Sequence, residues 1–471
     1  MKKVYILTAV ILAAVLLLIG CISAANAPET TRPTVTAPVP ETLSPIENVT
    51  ESGDTTDAEP GTVPPDTGTE PEETTDKVTE PPETQKETEP ATTQRETEPA
   101  TTAKETEPAE TTPREVITGA SASFLFCGDN LAHDAVNNNA KRYASGTGQT
   151  YNYLPIYDAV ASYIKKADCA VINQESQIAG DASAIGGYPR FNTPAQMGED
   201  LIALGFDVVS LANNHMLDNK TKGLKNCINY WKDKPVLTVG AYENKSDYDT
   251  IRTIKVNGIT VAFLSYTEMI NSDRRADDGY ITPLLDESTV KKHVAAAKKV
   301  ADVVIVMPHW GKEDSFSVTS NQKKFANLFA ECGVDVVVGM HSHVAGKIEY
   351  IKRPDGGKML CAYSLGNFVS TMEYARDLVG FMLSFDIAEE NGAYVCKNVT
   401  VIPTVTYFTY TSSMKLEDRE NLRLYLLSDF TDELAENHAY NHHEKDKIRV
   451  AGLKKYITDN VDREFLPAYL K

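Results

Sequence analysis

From about Ile117 the chain alternates short apolar runs with stretches whose apolar residues recur at helical spacing. The runs SASFLFCGD, DCAVIN, FDVVSLANN, PVLTVG, TVAFLSY, ADVVIVMPHW, GVDVVVGMH and MLCAYSLGNF have the length and β-branched or aromatic content of buried strands. Amphipathic segments lie between several of them. YLPIYDAVASYIKKA carries apolar residues at Ile156, Ala159, Val160, Tyr163 and Ile164. STVKKHVAAAKKVA and TSNQKKFANLFAECG repeat the pattern, the latter with Gly333 as a helix stop. Strands alternating with helices predict an α/β core. Farther on, GKIEYIKRPDGGKMLCAYSLGNF predicts a hairpin turning at Pro354–Gly357, and LVGFMLSFDIAEENGAYVCKNVTVIPT another turning at Asn391–Gly392, which adds antiparallel strands. Residues 413–471 begin with the charged amphipathic run EDRENLRLYLLSDFTDELAEN and predict a small helical extension, so the folded domain is expected over 117–412.

Polar residues fall at the ends of these runs. Asp129 closes FLFCGDN, Glu175 closes AVINQES, and Asn213, Asn214 and His215 close VVSLANNH. His309 and Glu313 follow VVIVMP, His341 and His343 follow VVVGM, and Asn367 ends AYSLGNF. Ligands of open α/β sheets bind beyond the carboxyl ends of the strands, so six such endings predict one convergent site. His341 and His343 are two apart, and in extended backbone both imidazoles would face one side. Two carboxylates, several imidazoles and an amide oxygen form a mixed donor set that suits zinc, manganese or iron better than calcium or magnesium. The set exceeds what one tetrahedral ion needs, so it provides for one ion or two. No G-x-S-x-G is present and no cysteine has an evident activating partner, which leaves a covalent nucleophile unsupported. Structural alternatives stand beside these roles: Asp129 as a helix cap, Asn213 and Asn214 as turn formers, His215 and His309 as core histidines, Glu175 as an edge carboxylate. His133, four residues after Asp129, faces the site only if a helix begins in the right register. His438, His442 and His443 lie in a polar stretch and read as solvated.

What precedes Ile117 changes the picture of where this site works. Two lysines and an apolar run ending in Leu18-Ile19-Gly20-Cys21 predict a signal peptide over 1–20, with Cys21 as a lipidated residue. An uncleaved membrane anchor is the alternative; both readings place the rest outside the cytoplasmic membrane, and two or three acyl chains would hold it there stably. Residues 21–116 are rich in Thr, Pro and Glu, with the near-repeats KETEPATTQ, RETEPATTA and KETEPAETT, and predict a disordered tether. Between Ala27 and Glu115 stand 22 acidic against 6 basic residues, so this segment carries −16 of the formal charge of −20. The acidity therefore describes the tether and not the partner of the folded part. No basic patch or nucleic-acid motif is present. The six cysteines after Cys21 show no C-x-x-C spacing and read as buried thiols.

GDNLAHD, INQES, YPRFNTP, SLANNHMLD, MPHWGKE, GVDVVVGMHSHV and YSLGNF occur in this order between Gly128 and Phe368. Together they resemble the bacterial capsule-synthesis CapA family, also called the poly-gamma-glutamate biosynthesis family. The resemblance implies a metallophosphoesterase-like sandwich of two mixed β-sheets flanked by helices, with a metal site at the strand ends. It implies Asp129, Glu175, Asn214, His309, His341 and His343 as metal ligands and His215 as general acid. Arg190, in YPRF, is a candidate for a bidentate contact with a substrate carboxylate or phosphate, and Glu313 and Asn367 join it as substrate-binding candidates. Glu175 stands where the phosphoesterases use a bridging Asp, and the first motif is D-x-x-x-H where theirs is D-x-H. The leading expectation is a tethered metal-dependent hydrolase or transferase acting on an anionic cell-surface polymer, with polymer synthase subunits as partners. A non-catalytic assembly or export component and a phosphoesterase on nucleotides or phospholipids stay open beside it.

Overall fold

The computed structural model describes residues 116–272, 276, 279–372, 374–411, 415–443 and 447–471. The expected signal peptide, the Cys21 lipid site and the tether lie outside the described residues, save for Val116. Among the described residues no helix is long and apolar enough to cross a membrane.

Among the described residues, fourteen strands form two sheets. They are β1 Ser121–Asn130, β2 Cys169–Gln174, β3 Val208–Ser210, β4 Leu237–Val239, β5 Arg252–Val256, β6 Ile259–Thr267, β7 Val303–His309, β8 Val336–Val338, β9 Ile348–Lys352, β10 Lys358–Ala362, β11 Asn367–Val369, β12 Val379–Glu390, β13 Ala393–Tyr410 and β14 Arg419–Leu426. The first sheet runs β14-β13-β12-β1-β2-β3-β4, with β11 also pairing β1; the second runs β5-β6-β7-β8-β10-β9. Both are mixed. β1 to β4 are mutually parallel and β12 to β14 antiparallel. In the second sheet β6, β7, β8 and β10 are parallel, with β5 and β9 antiparallel on the edges. This is the two-sheet α/β sandwich that the resemblance implies.

The period of two along the strands builds the core. Ile305, Met307, Val336 and Val338 join the cluster between the sheets, where Phe263 meets Phe126 of β1 at 6.5 Å. Their neighbours Val304, Val306 and Val337 face the other way, against the helices Glu287–Val300 and Ser320–Cys332. The second of these helices opens with a capping box at Thr319 and Gln322 and ends at Gly333 in the left-handed region, as expected. Both anticipated hairpins form.

Two expected elements differ. YLPIYDAVASYIKKA is not one helix: it makes a 3₁₀ turn, Leu154–Tyr157, and a short helix, Ala161–Lys166. Tertiary contacts override the pattern, because the Tyr157 hydroxyl donates to Asn130 Oδ1 at 2.7 Å and its ring stacks on Phe368. Residues 413–471 do contain helices, at Asp432–Asn437, Tyr440–His443 and Val450–Asn460, but they begin with β14, which lengthens the first sheet. Leu422, Leu424 and Leu426 are buried in alternation with Arg423 and Tyr425, a strand period inside what read as a helix. The helix Asp134–Tyr143 lies on this strand. Asn139 donates to the carbonyl of Arg419 at 2.7 Å and accepts from the amide of Leu422 at 3.2 Å, and Tyr143 donates to the carbonyl of Leu422. His438 is buried and not solvated, its Nε2 bonded to the carbonyl of Thr406 and its Nδ1 accepting from the amide of Tyr440.

Candidate metal centre

Six strand ends or the turns after them converge between the two sheets. Asp129, near the end of β1, reaches the site because Gly128 lets β1 approach the turn before β11; a Cβ there would stand 2.0 Å from the carbonyl oxygen of Gly366. Its carboxylate is held from two sides, accepting from Asn173 Nδ2 at 2.8 Å and from the backbone amide of His341 at 3.0 Å. Glu175 leaves the end of β2 fully buried, and neither of its oxygens has a hydrogen-bond partner. Burial, and then the Asp129 carboxylate, push its pKa well above the usual range.

His309 ends β7 and supplies the point around which donors gather. From its Nε2, Asn214 Oδ1 lies 2.9 Å away, His341 Nδ1 3.1 Å and Glu175 Oε1 3.6 Å. Ligand atoms of a tetrahedral ion held at about 2.1 Å stand about 3.4 Å apart. The three separations from His309 Nε2 bracket that value, and the ligand atoms of Glu175, His309 and His341 all lie within 4.8 Å of one another. A second group, Asp129, Glu175 and His343, has ligand atoms all within 4.8 Å of one another, and a third joins Glu313, His341 and His343 at the cleft edge. Glu175, His341 and His343 each belong to two of the three groups, and Glu175 is the one carboxylate shared in this way.

The unscreened charges show why a cation suits this pocket. Burial and then neighbouring imidazoles hold His309 well below the usual histidine range, and burial followed by His343 takes His341 down to about 3. Burial also opposes a charge on His343, but Glu175 and Asp129 outweigh it and raise His343 to about 10. Metal ligation needs the neutral imidazole, and a divalent ion would neutralise the carboxylates that otherwise hold that proton. Asn214 Nδ2, His309 Nδ1 and both Glu175 oxygens are buried without partners, an expensive arrangement unless something else satisfies part of it. The residues fit one or two divalent transition-metal ions.

His341 and His343 meet by a different route from the expected one. The backbone past β8 is not extended; both residues have positive φ, 95° and 59°. For non-glycine residues this conformation costs on the order of 1–3 kcal/mol each. The rings end with centroids 6.0 Å apart, His341 turned toward His309 and His343 toward Asp129 and Glu175.

Asn367 requires a correction. Expected to bind substrate, it is buried, its Nδ2 donating to the carbonyl of Asp377 at 3.1 Å, which fixes the amide so that Oδ1 accepts from His343 Nδ1 at 3.0 Å. In the neutral ring that ligation requires, the His343 proton therefore sits on Nδ1, and Nε2 is left for the cluster. Asn213 is structural, donating to the carbonyls of Gln174 and Leu211 and accepting from the amide of His215.

Beside the cluster opens a cleft of about 580 Å³, lined among others by His133, Arg190, His215, Lys220, Glu313 and His343. His215 Nδ1 lies 2.8 Å from Asp218 Oδ2, and the ring packs edge-on against Phe191. A carboxylate only accepts here, so Nδ1 carries a proton and Nε2 is the reactive nitrogen. Arg190 and Glu313 are exposed on the cleft wall, where substrate contacts were expected. His133 lines the same wall and stands outside all three ligand groups. Sequence reasoning missed Asp218 and Asn173. The first stands three residues after His215 in HMLD and the second two before Glu175 in INQES, spacings that are suggestive only once the site is known.

Residues 123–372 match the family of the bacterial capsule synthesis protein PGA_cap. The chain belongs to that family. Two curated relatives are 31% identical: capsule biosynthesis protein CapA of Bacillus anthracis, over 194 residues, and PGA biosynthesis protein CapA of Bacillus subtilis, over 193. Each alignment covers 40% of this chain, and 46% and 49% of the relatives, so the chain spans about half the length of the curated proteins it matches. Among solved structures, the calcineurin-like phosphoesterase YfkN from Bacillus subtilis aligns at 12% identity and a TM-score of 0.37, over 60% of this chain and 90% of that one. In this PGA_cap-family chain the matched span contains all six residues of the expected ligand set.

Proposed function

We propose that this PGA_cap-family protein is an extracytoplasmic, lipid-tethered hydrolase or transferase that depends on zinc, manganese or iron and acts on an anionic cell-surface polymer or its linkage. The polymer class follows from the relatives named for capsule and PGA biosynthesis. One observation carries the catalytic part: three donor atoms, from Asn214, His341 and Glu175, stand at 2.9 to 3.6 Å around His309 Nε2, beside an open cleft that holds a carboxylate-supported histidine.

In this reading Asp129, Glu175, Asn214, His309, His341 and His343 hold the metal. The chemistry such an ion supplies when bound is Lewis acidity and acidification of water. Arg190 orients a substrate carboxylate by a charge-assisted contact, and Glu313 borders the reacting group. His215 hands a proton from Nε2 to the leaving group, with Asp218 keeping the ring oriented and its charged form stabilised. The buried cluster excludes bulk water from one side while the cleft admits the polymer from the other.

The test uses the full chain in detergent, loaded separately with zinc, manganese and iron(II). The reading expects one or two ions per chain and cleavage or transfer at a γ-glutamyl amide. Bound metal with turnover of phosphoesters alone would replace the polymer by a nucleotide or phospholipid substrate. Bound metal without turnover of either class would make the chain an assembly component of a polymer synthase.

A further inference from the structure

The D-x-x-x-H spacing that departs from the phosphoesterase pattern leaves one histidine without a role. His133 occupies the N-cap position of the helix Asp134–Tyr143, yet its side chain makes no capping bond. Instead its Nδ1 accepts from the backbone amide of Thr371 at 3.3 Å. A backbone amide can only donate, so Nδ1 carries no proton and the neutral ring holds its hydrogen on Nε2. Among the described residues no group bonds to Nε2, and the residue lines the cleft.

The surroundings fix this nitrogen beside the other cleft groups. Phe191 contacts both imidazoles edge-on, His133 at 5.4 Å and His215 at 4.7 Å. The loop that carries Arg190 is fastened onto the same helix start, with the Gly187 amide donating to Asp134 Oδ1 at 2.7 Å. Gly187 comes so close that a Cβ would stand 2.5 Å from the amide nitrogen of Asp134. The two histidines thus share one aromatic ring and have opposite polarity. His215 has a carboxylate on Nδ1 and a proton-exchanging Nε2, whereas His133 has a donor on Nδ1 and can only donate from Nε2.

We propose that His133 is a substrate-binding residue whose Nε2–H donates to an anionic oxygen of the substrate, on the same side of the cleft as Arg190. The assignment rests on the functional reading above and adds to it a neutral donor that cannot serve as metal ligand or base. The anionic oxygen is a carboxylate or a phosphate oxygen, and the test distinguishes them.

Full-length protein in detergent, loaded with diamagnetic zinc and labelled with ¹⁵N-histidine, is titrated with a γ-glutamate tetramer and, separately, with inorganic phosphate. The proposal expects a protonated Nε2 and bare Nδ1 at His133, with the Nε2 resonance moving on addition of one probe; the probe that moves it names the oxygen. His133→Leu should bind that probe about 10- to 100-fold more weakly with metal content unchanged, and His133→Gln, which keeps an N–H near the same place, should recover most of the loss. A protonated Nδ1 overturns the proposal whether or not the variants fold. So does loss of metal in His133→Leu, or equal binding by His133→Leu and wild type. Wild-type protein that binds neither probe overturns the functional reading together with this one, a result distinct from intact wild-type binding that His133→Leu leaves unaltered.

Discussion

The ligand cluster and the cleft wall lie side by side and are built differently. None of the six donors in the cluster is more than 4% exposed, and each sits at the end of a strand or in the turn after it. Arg190, Lys220 and Glu313 of the wall are exposed and stand on loops or at a helix start. The cluster is a dehydrated pocket whose groups are mutually dependent, so removing one member changes the charge felt by all. The wall is wet, and its members act nearly independently. The comparison teaches that metal affinity and substrate affinity should be separable by mutation, although the two regions share His343 and touch through Glu313.

The largest effect expected follows from Glu175→Ala, because that carboxylate belongs to two ligand groups. Metal content should fall and turnover should drop below detection. A ligand at 1,000 times its Kd stabilises the fold by about 4 kcal/mol. Chelator should therefore lower the melting temperature of wild type markedly and leave that of Glu175→Ala unchanged. Equal sensitivity to chelator in both proteins would dissolve the distinction between cluster and wall.

Next is His215→Ala, which tests the boundary from the other side. Turnover should fall by about 10²- to 10⁴-fold while metal content stays at the wild-type level, whereas Asn214→Ala, one residue earlier, should lose metal. A metal-free His215→Ala would move that residue into the cluster. Asn367→Ala sharpens the comparison within the cluster, since Asn367 touches no ion in the proposed arrangement and holds the His343 ring through its Oδ1. Metal affinity should weaken by about 10- to 100-fold, measured by competition with a chelating dye, and substrate affinity at saturating metal should be unchanged. The smallest effect is expected from Arg190→Ala: a rise in KM of about tenfold for a carboxylate-bearing substrate, with kcat and metal content preserved. Loss of metal in that variant would show that the wall is not independent.

The same contrast governs what could be read from the sequence. The strand ends were legible because a buried strand advertises itself as an apolar run, and a polar residue that ends it has few places to point except the sheet's carboxyl edge. His341 and His343 were paired for the wrong reason: extended geometry was expected, and left-handed residues deliver the rings instead. Asn367 was placed on the substrate because residue type alone does not say where an amide spends its hydrogen bonds; its partners, His343 and the Asp377 carbonyl, are 24 and 10 residues away. The roles of Asp218 and the tautomer of His133 depend on single contacts made by loops, and no periodicity records them. β14 was missed because the alternation of Leu422, Leu424 and Leu426 runs directly into the helix-forming DFTDELAEN.

β14 has a consequence for the order in which the site comes into being. His133 begins a helix that is clamped through Asn139 to residues 280 and 283 positions later, and Arg419 also bonds the carbonyl of Thr371, whose amide holds the His133 ring. A chain that emerges from its N-terminus, as it does at synthesis, carries every proposed metal ligand well before Arg419 and Leu422 appear. Contacts of such long sequence separation form late. The nascent protein is expected to be able to capture its ion first and to acquire a finished cleft only once Arg419 and Leu422 are in place, so an interruption of synthesis before β14 would leave a metal-loaded molecule with an unbraced substrate wall.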